Sequence, residues 1–119
     1  MSQEELHPLA AEVGSQLKDP SQTFQMLVYF VVHSGQELAM EKAFHQPLLQ
    51  TVKEEGNYTY RLLQQTTQPE NFIVVEHWQN LAALDSHLKQ PYLSQLLEDL
   101  GPVLAQPPRV DVFQEIVAR

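Results

Sequence analysis

Residues 71–91 constrain the fold more than any other segment, because a strand pattern passes directly into a helix pattern there. Residues 71–78 are rich in the β-branched and aromatic side chains that strands favour. Asn80 follows as a favourable helix N-cap, and leucines then recur at helical spacing as far as Pro91. The chain must therefore begin a helix at the edge of the sheet, where this strand ends.

Further segments have strand patterns. Residues 23–33 are apolar on both faces, so both faces should be covered. Residues 57–65 are separated from the strand described above by a polar link of the length expected for an antiparallel hairpin. Within that segment, Tyr58 and Tyr60 are predicted to share one face and to supply packing between two copies of the chain. Residues 109–117 are predicted to be the last strand.

A helix is predicted between the first two strands. Ser34 and Glu37 match a capping box that starts a helix running towards Glu55. Pro47 should kink or divide this helix, since proline lacks an amide donor and clashes with the preceding turn. Gly56 suits a left-handed stop.

The two ends of the chain carry further helix signals. Pro91 is predicted to begin a helix, because proline is favourable at the first helical position, and residues 101–102 stop it. Residues 1–22 form a polar extension whose apolar residues recur at helical spacing. We expect this extension to be a short docked helix or a loose arm, and residues 23–119 to form the main domain.

The order of these elements predicts an α+β fold. Strand, helix, strand, strand, helices and strand suit a ferredoxin-like, four-stranded antiparallel sheet with helices on one face. Because several strands are apolar on both sides, the uncovered face needs a partner, and a second copy of the chain is the simplest one. The sequence therefore predicts a homodimer.

Composition excludes several classes of function. The chain has 119 residues and a formal net charge of -8, so it fits one domain and would repel nucleic acid. It has no cysteine, and its longest apolar run, residues 26–32, is too short to span a bilayer. The first residues lack a basic and an apolar region of the secretory kind. We expect a cytoplasmic protein without a membrane segment, and no set of three convergent metal ligands is recognisable.

The motifs together resemble the antibiotic biosynthesis monooxygenase family. The resemblance covers residues 23–116 and rests on a few short pieces: Glu54-Glu55-Gly56 with Tyr60, Glu76-x-Trp78, Ala83-Leu84-x-x-His87-Leu88, and Pro91. Members of this family are dimeric α+β barrels, and the chain looks nearest to the quinol monooxygenase-like branch. That branch tends to carry His-x-x-x-Pro-His, but here Tyr92 replaces the second histidine. The haem-degrading branch is a poor match, since His87 and Leu97 stand where it has a catalytic tryptophan and a catalytic histidine.

The resemblance implies a set of site residues. His87, Trp78 and Glu76 are predicted to be catalytic. Tyr92 and Tyr60, together with Phe44 on the apolar side of the predicted helix, are predicted to bind substrate. Glu76 either makes a structural bond to His87 or Arg61, or orients His87 as a general base. Trp78 either packs at the sheet edge or points its donor at a bound oxygen, and His87 could equally be a satisfied structural residue.

The function implied by the resemblance is oxidation of a small phenol or hydroquinone by dioxygen, without metal, flavin or another cofactor. Two alternatives stay open. The chain could be a non-catalytic dimeric module that binds a small molecule or a protein, or an isomerase of small hydroxyketones that uses His87 as a proton shuttle. Leucine side chains that fill the gap between sheet and helices would favour the binding module.

Overall fold

The computed structural model describes residues 5–118. Helices and strands follow one another in this order along that part of the chain: α1 (Pro8–Gln16), β1 (Phe24–Val31), α2 (Glu37–Ala43), α3 (His45–Thr51), β2 (Asn57–Gln64), β3 (Asn71–Trp78), α4 (Leu81–Leu88), α5 (Pro91–Leu100) and β4 (Arg109–Phe113). The predicted order of elements is therefore confirmed.

The strands form one four-stranded sheet in the order β2-β3-β1-β4. Every pair of neighbouring strands is antiparallel, with Met26 of β1 opposite Glu76 of β3 on one side and Val112 of β4 on the other. This is the ferredoxin-like α+β arrangement, and the predicted fold class is confirmed.

Burial alternates along the two central strands, so one face of the sheet carries the core. In β1 the alternate residues from Phe24 to Phe30 are buried, and in β3 the same holds from Phe72 to Trp78. Helix side chains such as Met40, Leu84 and Leu96 pack against this face. The strand residues that alternate with these buried ones in β1 and β3 lie on the outer face and are only partly covered within one chain.

Pro47 divides the first long helix, as predicted. Its missing amide would have bonded to the carbonyl of Ala43, and α2 ends at that residue. The predicted capping box is wrong: the N-cap residue is Gln36, and Glu37 accepts a hydrogen bond from the amide of Gly35 instead of that of Ser34. Gly35 adopts a positive φ, which moves the helix start beyond the predicted cap.

The signals around α4 and α5 are confirmed. The side chain of Asn80 accepts a hydrogen bond from the amide of Ala83, which caps α4. Pro91 occupies the first turn of α5, and Gly101 follows its last residue. These local signals fix where the helix that carries His87 begins and ends.

Two strand predictions need correction. A register irregularity between Asn57 and Thr59 puts Tyr58 and Tyr60 in different surroundings, so Tyr60 is buried while Tyr58 is 55% exposed. Tyr60 thus lies under the helices and cannot pack against a second copy from the outer face. The last strand ends at Phe113, and beyond it the side chain of Gln114 bonds with the backbone of Asp19, which attaches the chain to the segment before β1.

The N-terminal extension contains a docked helix. Ala10 and Val13 on α1 are fully buried, and α1 packs against α4. Of the two forms expected for residues 1–22, the described residues adopt the docked helix. Among residues 5–118 no helix is long and apolar enough to cross a membrane.

Candidate functional site

A cavity of about 270 Å³ lies between the buried face of the sheet and the helices. Its size is just below the usual range for small-molecule sites, so it suits a single ring with a short substituent. Aliphatic and aromatic side chains form most of the wall, including Met26, Val28, Phe30, Phe44, Val74, Leu84, Leu93, Leu96 and Leu100. The polar groups in its buried wall are Tyr60, Glu76 and His87. The leucines therefore line the gap without filling it.

His87 is the best-positioned titratable group of this cavity. It lies in the last turn of α4 and is only 1% exposed. Its Nδ1 lies 3.0 Å from Oε2 of Glu54, in the turn between α3 and Gly56. In the tautomer that carries its hydrogen on Nδ1, the ring donates this bond to Glu54, and Nε2 is then the nitrogen that can accept a proton.

Glu76 and Trp78 form a second pair beside His87. The indole Nε1 of Trp78 donates a hydrogen bond of 2.9 Å to Oε1 of Glu76. The two ring centroids of Trp78 and His87 are 4.7 Å apart. Trp78 is fully buried and is not part of the cavity wall. The single donor of Trp78 is therefore already bonded to Glu76, and its ring lies beside that of His87.

Burial changes the acid–base properties of two groups in the wall. Desolvation raises the pKa of Glu76, and the charge of Glu54 adds to this, while His87 and the hydrogen bond from Trp78 act in the opposite direction. Desolvation also raises the pKa of Tyr60 well above its usual value, with further contributions from Glu76 and Glu54. The Tyr60 hydroxyl therefore stays protonated near neutral pH and can donate a hydrogen bond.

The predicted site residues fall into two groups. His87, Glu76, Tyr60 and Phe44 line the cavity. Trp78 and Tyr92 lie outside its wall, and the ring of Tyr92 is 6.4 Å from that of His87. The Tyr92 hydroxyl is buried and has no hydrogen-bond partner among the described residues. A contact between this hydroxyl and a bound substrate stays a prediction.

Sequence reasoning missed the role of Glu54. It expected Glu76 to bond with His87 or Arg61, whereas Glu54 bonds with His87 and Trp78 bonds with Glu76. Glu54 is 33 positions from His87 in the chain, and only the turn before Gly56 brings them together. The available signal was an acid two positions before a glycine stop.

No group of three or more histidine, cysteine, aspartate and glutamate side chains in residues 5–118 is arranged to hold a metal ion. The two carboxylates are instead each paired with a ring: Glu54, which is not part of the cavity wall, bonds with His87, and Glu76 bonds with Trp78. His87 and Glu76, which do line the cavity, can accept, hold and return protons beside an apolar ligand.

Comparison with known proteins adds a family and a set of similar folds. The family model described as antibiotic biosynthesis monooxygenase matches residues 23–99. An uncharacterised protein of Synechocystis sp. is 29% identical over 77 residues, which cover 65% of this chain and 50% of that protein. The chain thus spans half the length of this curated relative.

Several solved structures have the same fold. A protein of Nitrosomonas europaea that carries the same family name has a TM-score of 0.77 at 18% identity, covering 84% of this chain and 96% of its own. For a Pseudomonas aeruginosa protein the TM-score is 0.76 at 19% identity, with 83% and 99% covered. A Caulobacter crescentus protein, again with the family name, gives 0.74 at 22% identity, with 82% and 93% covered. At these identities the likeness concerns the fold.

Proposed function

Because this chain belongs to the antibiotic biosynthesis monooxygenase family, we propose that it is a monooxygenase-like oxidoreductase that oxidises a small phenol or hydroquinone with dioxygen. The observation that supports this most is the composition of the cavity wall. His87, Glu76 and Tyr60 lie together in the buried wall of a mainly apolar chamber that fits one small ring. A phenolic substrate needs both features, a proton acceptor for its hydroxyl and an apolar surface for its ring.

Proton removal is the step assigned to His87. With Nδ1 bonded to Glu54, Nε2 takes the phenolic proton, and the imidazolium that forms is stabilised by the Glu54 carboxylate. Tyr60 keeps its own proton and donates a hydrogen bond to the substrate oxyanion. Trp78 fixes Glu76 and the ring of His87, so it is a positioning residue in this scheme.

The oxidation itself uses electrons from the substrate. The phenolate passes one electron to dioxygen, and the resulting phenoxyl radical and superoxide combine by forming a carbon–oxygen bond. The peroxide takes the proton back from His87. Loss of the ring hydrogen as a proton then breaks the oxygen–oxygen bond and releases water. One oxygen atom ends in the quinone and the other in water, so atoms and electrons balance.

The proposal is tested by oxygen consumption. Purified protein treated with a chelator should consume dioxygen with a hydroquinone faster than the uncatalysed reaction does, and His87→Ala should lose most of the excess, at least about tenfold. His33→Ala is the matched control, since His33 is exposed and lies outside the cavity wall. Equal excess rates in the wild type and His87→Ala would contradict the proposal.

The same measurement separates the alternatives. A binding module would bind phenols without consuming oxygen. An isomerase would convert a hydroxyketone at a rate that depends on His87 but not on oxygen.

A cytoplasmic location of the protein stays a prediction.

We also propose that two copies pair through the outer face of the sheet. Leu27, Tyr29 and Ile73 on this face are only partly covered within one chain, and Leu63 is 37% exposed. An open groove of about 590 Å³ is lined by Tyr29, Leu63 and Ile73. Apolar strand faces of this kind are normally covered in a folded protein.

A further inference from the structure

Helix α1 supplies part of the cavity wall, although it lies before the residues that match the family model. Its segment contributes His7, Leu9 and Glu12 to the lining, while the family match begins at residue 23. Leu9 and Glu12 are three positions apart on the helix and so face the same side. A segment outside the family match therefore borders the proposed active site.

The start of α1 is attached to the turn of α4 that carries His87. The amide of His7 donates a hydrogen bond of 2.7 Å to Oδ1 of Asp85. Lys89 pairs with Asp85 at 2.9 Å, and its Nζ also donates to the carbonyl of Glu5 at 2.9 Å. These bonds fix the position of α1 relative to the catalytic imidazole.

Packing holds the rest of α1 in place. Ala10 and Val13 are fully buried, and Gly14 lies against the side chain of Leu81 on α4. Burial alone would raise the pKa of Asp85, but the hydrogen bond from His7 and the pairing with Lys89 outweigh it, so the pKa is lowered and the anchoring carboxylate stays ionised near neutral pH. The wall formed by α1 is therefore a fixed surface.

Burial distinguishes the inner end of the cavity from its mouth. His87, Tyr60 and Glu76 are buried, whereas Glu12 and Pro108 in the same wall are exposed. A phenol whose hydroxyl reaches His87 must therefore point its ring substituent towards the mouth. Leu9, which is partly buried and on the Glu12 side of α1, lies along this path.

We propose that Leu9 determines which substituent the substrate can carry, so that the preferred ligands are single-ring phenols with a short, uncharged alkyl group. This inference rests on the proposed function, because it takes a phenol as the ligand. Each methylene buried against the wall strengthens binding by about fourfold, and a methylene that meets a fixed side chain gains nothing. The size of residue 9 thus sets the chain length at which affinity stops rising.

The test measures binding of 4-alkylphenols from methyl to hexyl. Trp78 is the one tryptophan of the chain, and its ring contacts His87, so its fluorescence reports on ligands at the inner end of the cavity. Dissociation constants are measured for the wild type, Leu9→Ala and Leu9→Phe. Leu6→Ala is the matched control, since Leu6 is exposed and does not line the cavity.

We expect Leu9→Ala to extend the rise in affinity by about two methylenes, so that the longest phenol binds about fifteenfold more tightly than it does to the wild type. With Leu9→Phe, affinity should stop rising at a shorter alkyl chain than in the wild type. Because this effect is opposite in sign to that of Leu9→Ala, a general loss of stability cannot account for both. Leu6→Ala should match the wild type at every chain length.

The outcomes separate this inference from the proposed function. If phenols bind but the profile is the same in all four proteins, the role of Leu9 is rejected whatever the oxygen measurement shows. If the profile shifts as expected but no protein consumes oxygen, the role of Leu9 stands and the monooxygenase proposal fails. If the wild type binds none of the phenols, both are rejected.

Discussion

Two carboxylates and the indole of Trp78 lie around the imidazole of His87, and each carboxylate bonds to a different one of the two rings. Glu54 bonds with the imidazole and Glu76 with the indole of Trp78. Each carboxylate thus gives one of the rings a hydrogen-bond partner within the protein. The sequence identified Glu76, Trp78 and His87 as neighbours because they lie within one short segment. It could not pair Glu54 with His87, because that contact depends on the turn before Gly56.

Burial of Glu76 predicts a pH-dependent cost to stability. Its pKa is raised in the folded state, so the folded protein binds this proton more tightly than the unfolded chain does. As the pH rises above the usual glutamate value of 4.5, the free energy of unfolding of the wild type should therefore fall relative to that of Glu76→Gln. The difference should grow by about 1.4 kcal/mol for each pH unit between the unfolded and folded pKa values.

The measurement is urea unfolding of both proteins at pH 4 and pH 7, followed by circular dichroism. Glutamine keeps an acceptor for Trp78, and most other carboxylates cancel in the comparison. Glu55→Gln, at an exposed position, should show no such pH-dependent difference. A difference that is constant between pH 4 and pH 7 would contradict the burial argument.

At the scale of elements, the turn at Gly56 decides the shape of the site. Gly56 has a φ of +86, and a Cβ atom built there would lie 2.6 Å from Cβ of Ala83 on α4. The glycine thus allows both the reversal of the chain after α3 and the close approach of α4. Glu54, just before the turn, reaches His87 on α4 as a consequence.

Gly56→Ala should be clearly more destabilising than Gly35→Ala. Both glycines have a positive φ, so both substitutions cost about 1 kcal/mol or more in backbone strain. A Cβ at Gly35 meets nothing within 4 Å, whereas one at Gly56 must displace α4 and adds an overpacking cost of about 1–3 kcal/mol. Equal losses in the free energy of unfolding would show that α4 is not held against this turn.

At the scale of the whole molecule, the two faces of the sheet have different surroundings. The inner face is covered by the helices and holds the cavity. On the outer face, Tyr29 lies opposite Ile73 in the register and Arg109 stacks on the Tyr29 ring at 3.9 Å. That face is the surface proposed to pair with a second copy.

Ile73→Glu should convert a dimer into a single chain. A carboxylate at this position would be buried without a partner in the interface, which costs several kcal/mol. Sedimentation equilibrium at micromolar concentration should give the wild type a mass of two chains and the variant a mass of one. Leu38→Glu is the control, because Leu38 is 71% exposed on α2 and lies away from the sheet face. A wild type that sediments as a single chain would exclude the proposed pairing.

The sequence by itself determined the order of elements, the α+β fold, the N-cap at Asn80 and the helix start at Pro91, because these depend on periodicity and on residues close together in the chain. It did not determine the ladder irregularity that separates Tyr58 from Tyr60. Only the tertiary structure paired Glu54 with His87 and Trp78 with Glu76 and brought Leu9 to the cavity wall. Side-chain orientations and contacts of this kind depend on how packed elements meet, and local sequence patterns do not fix that.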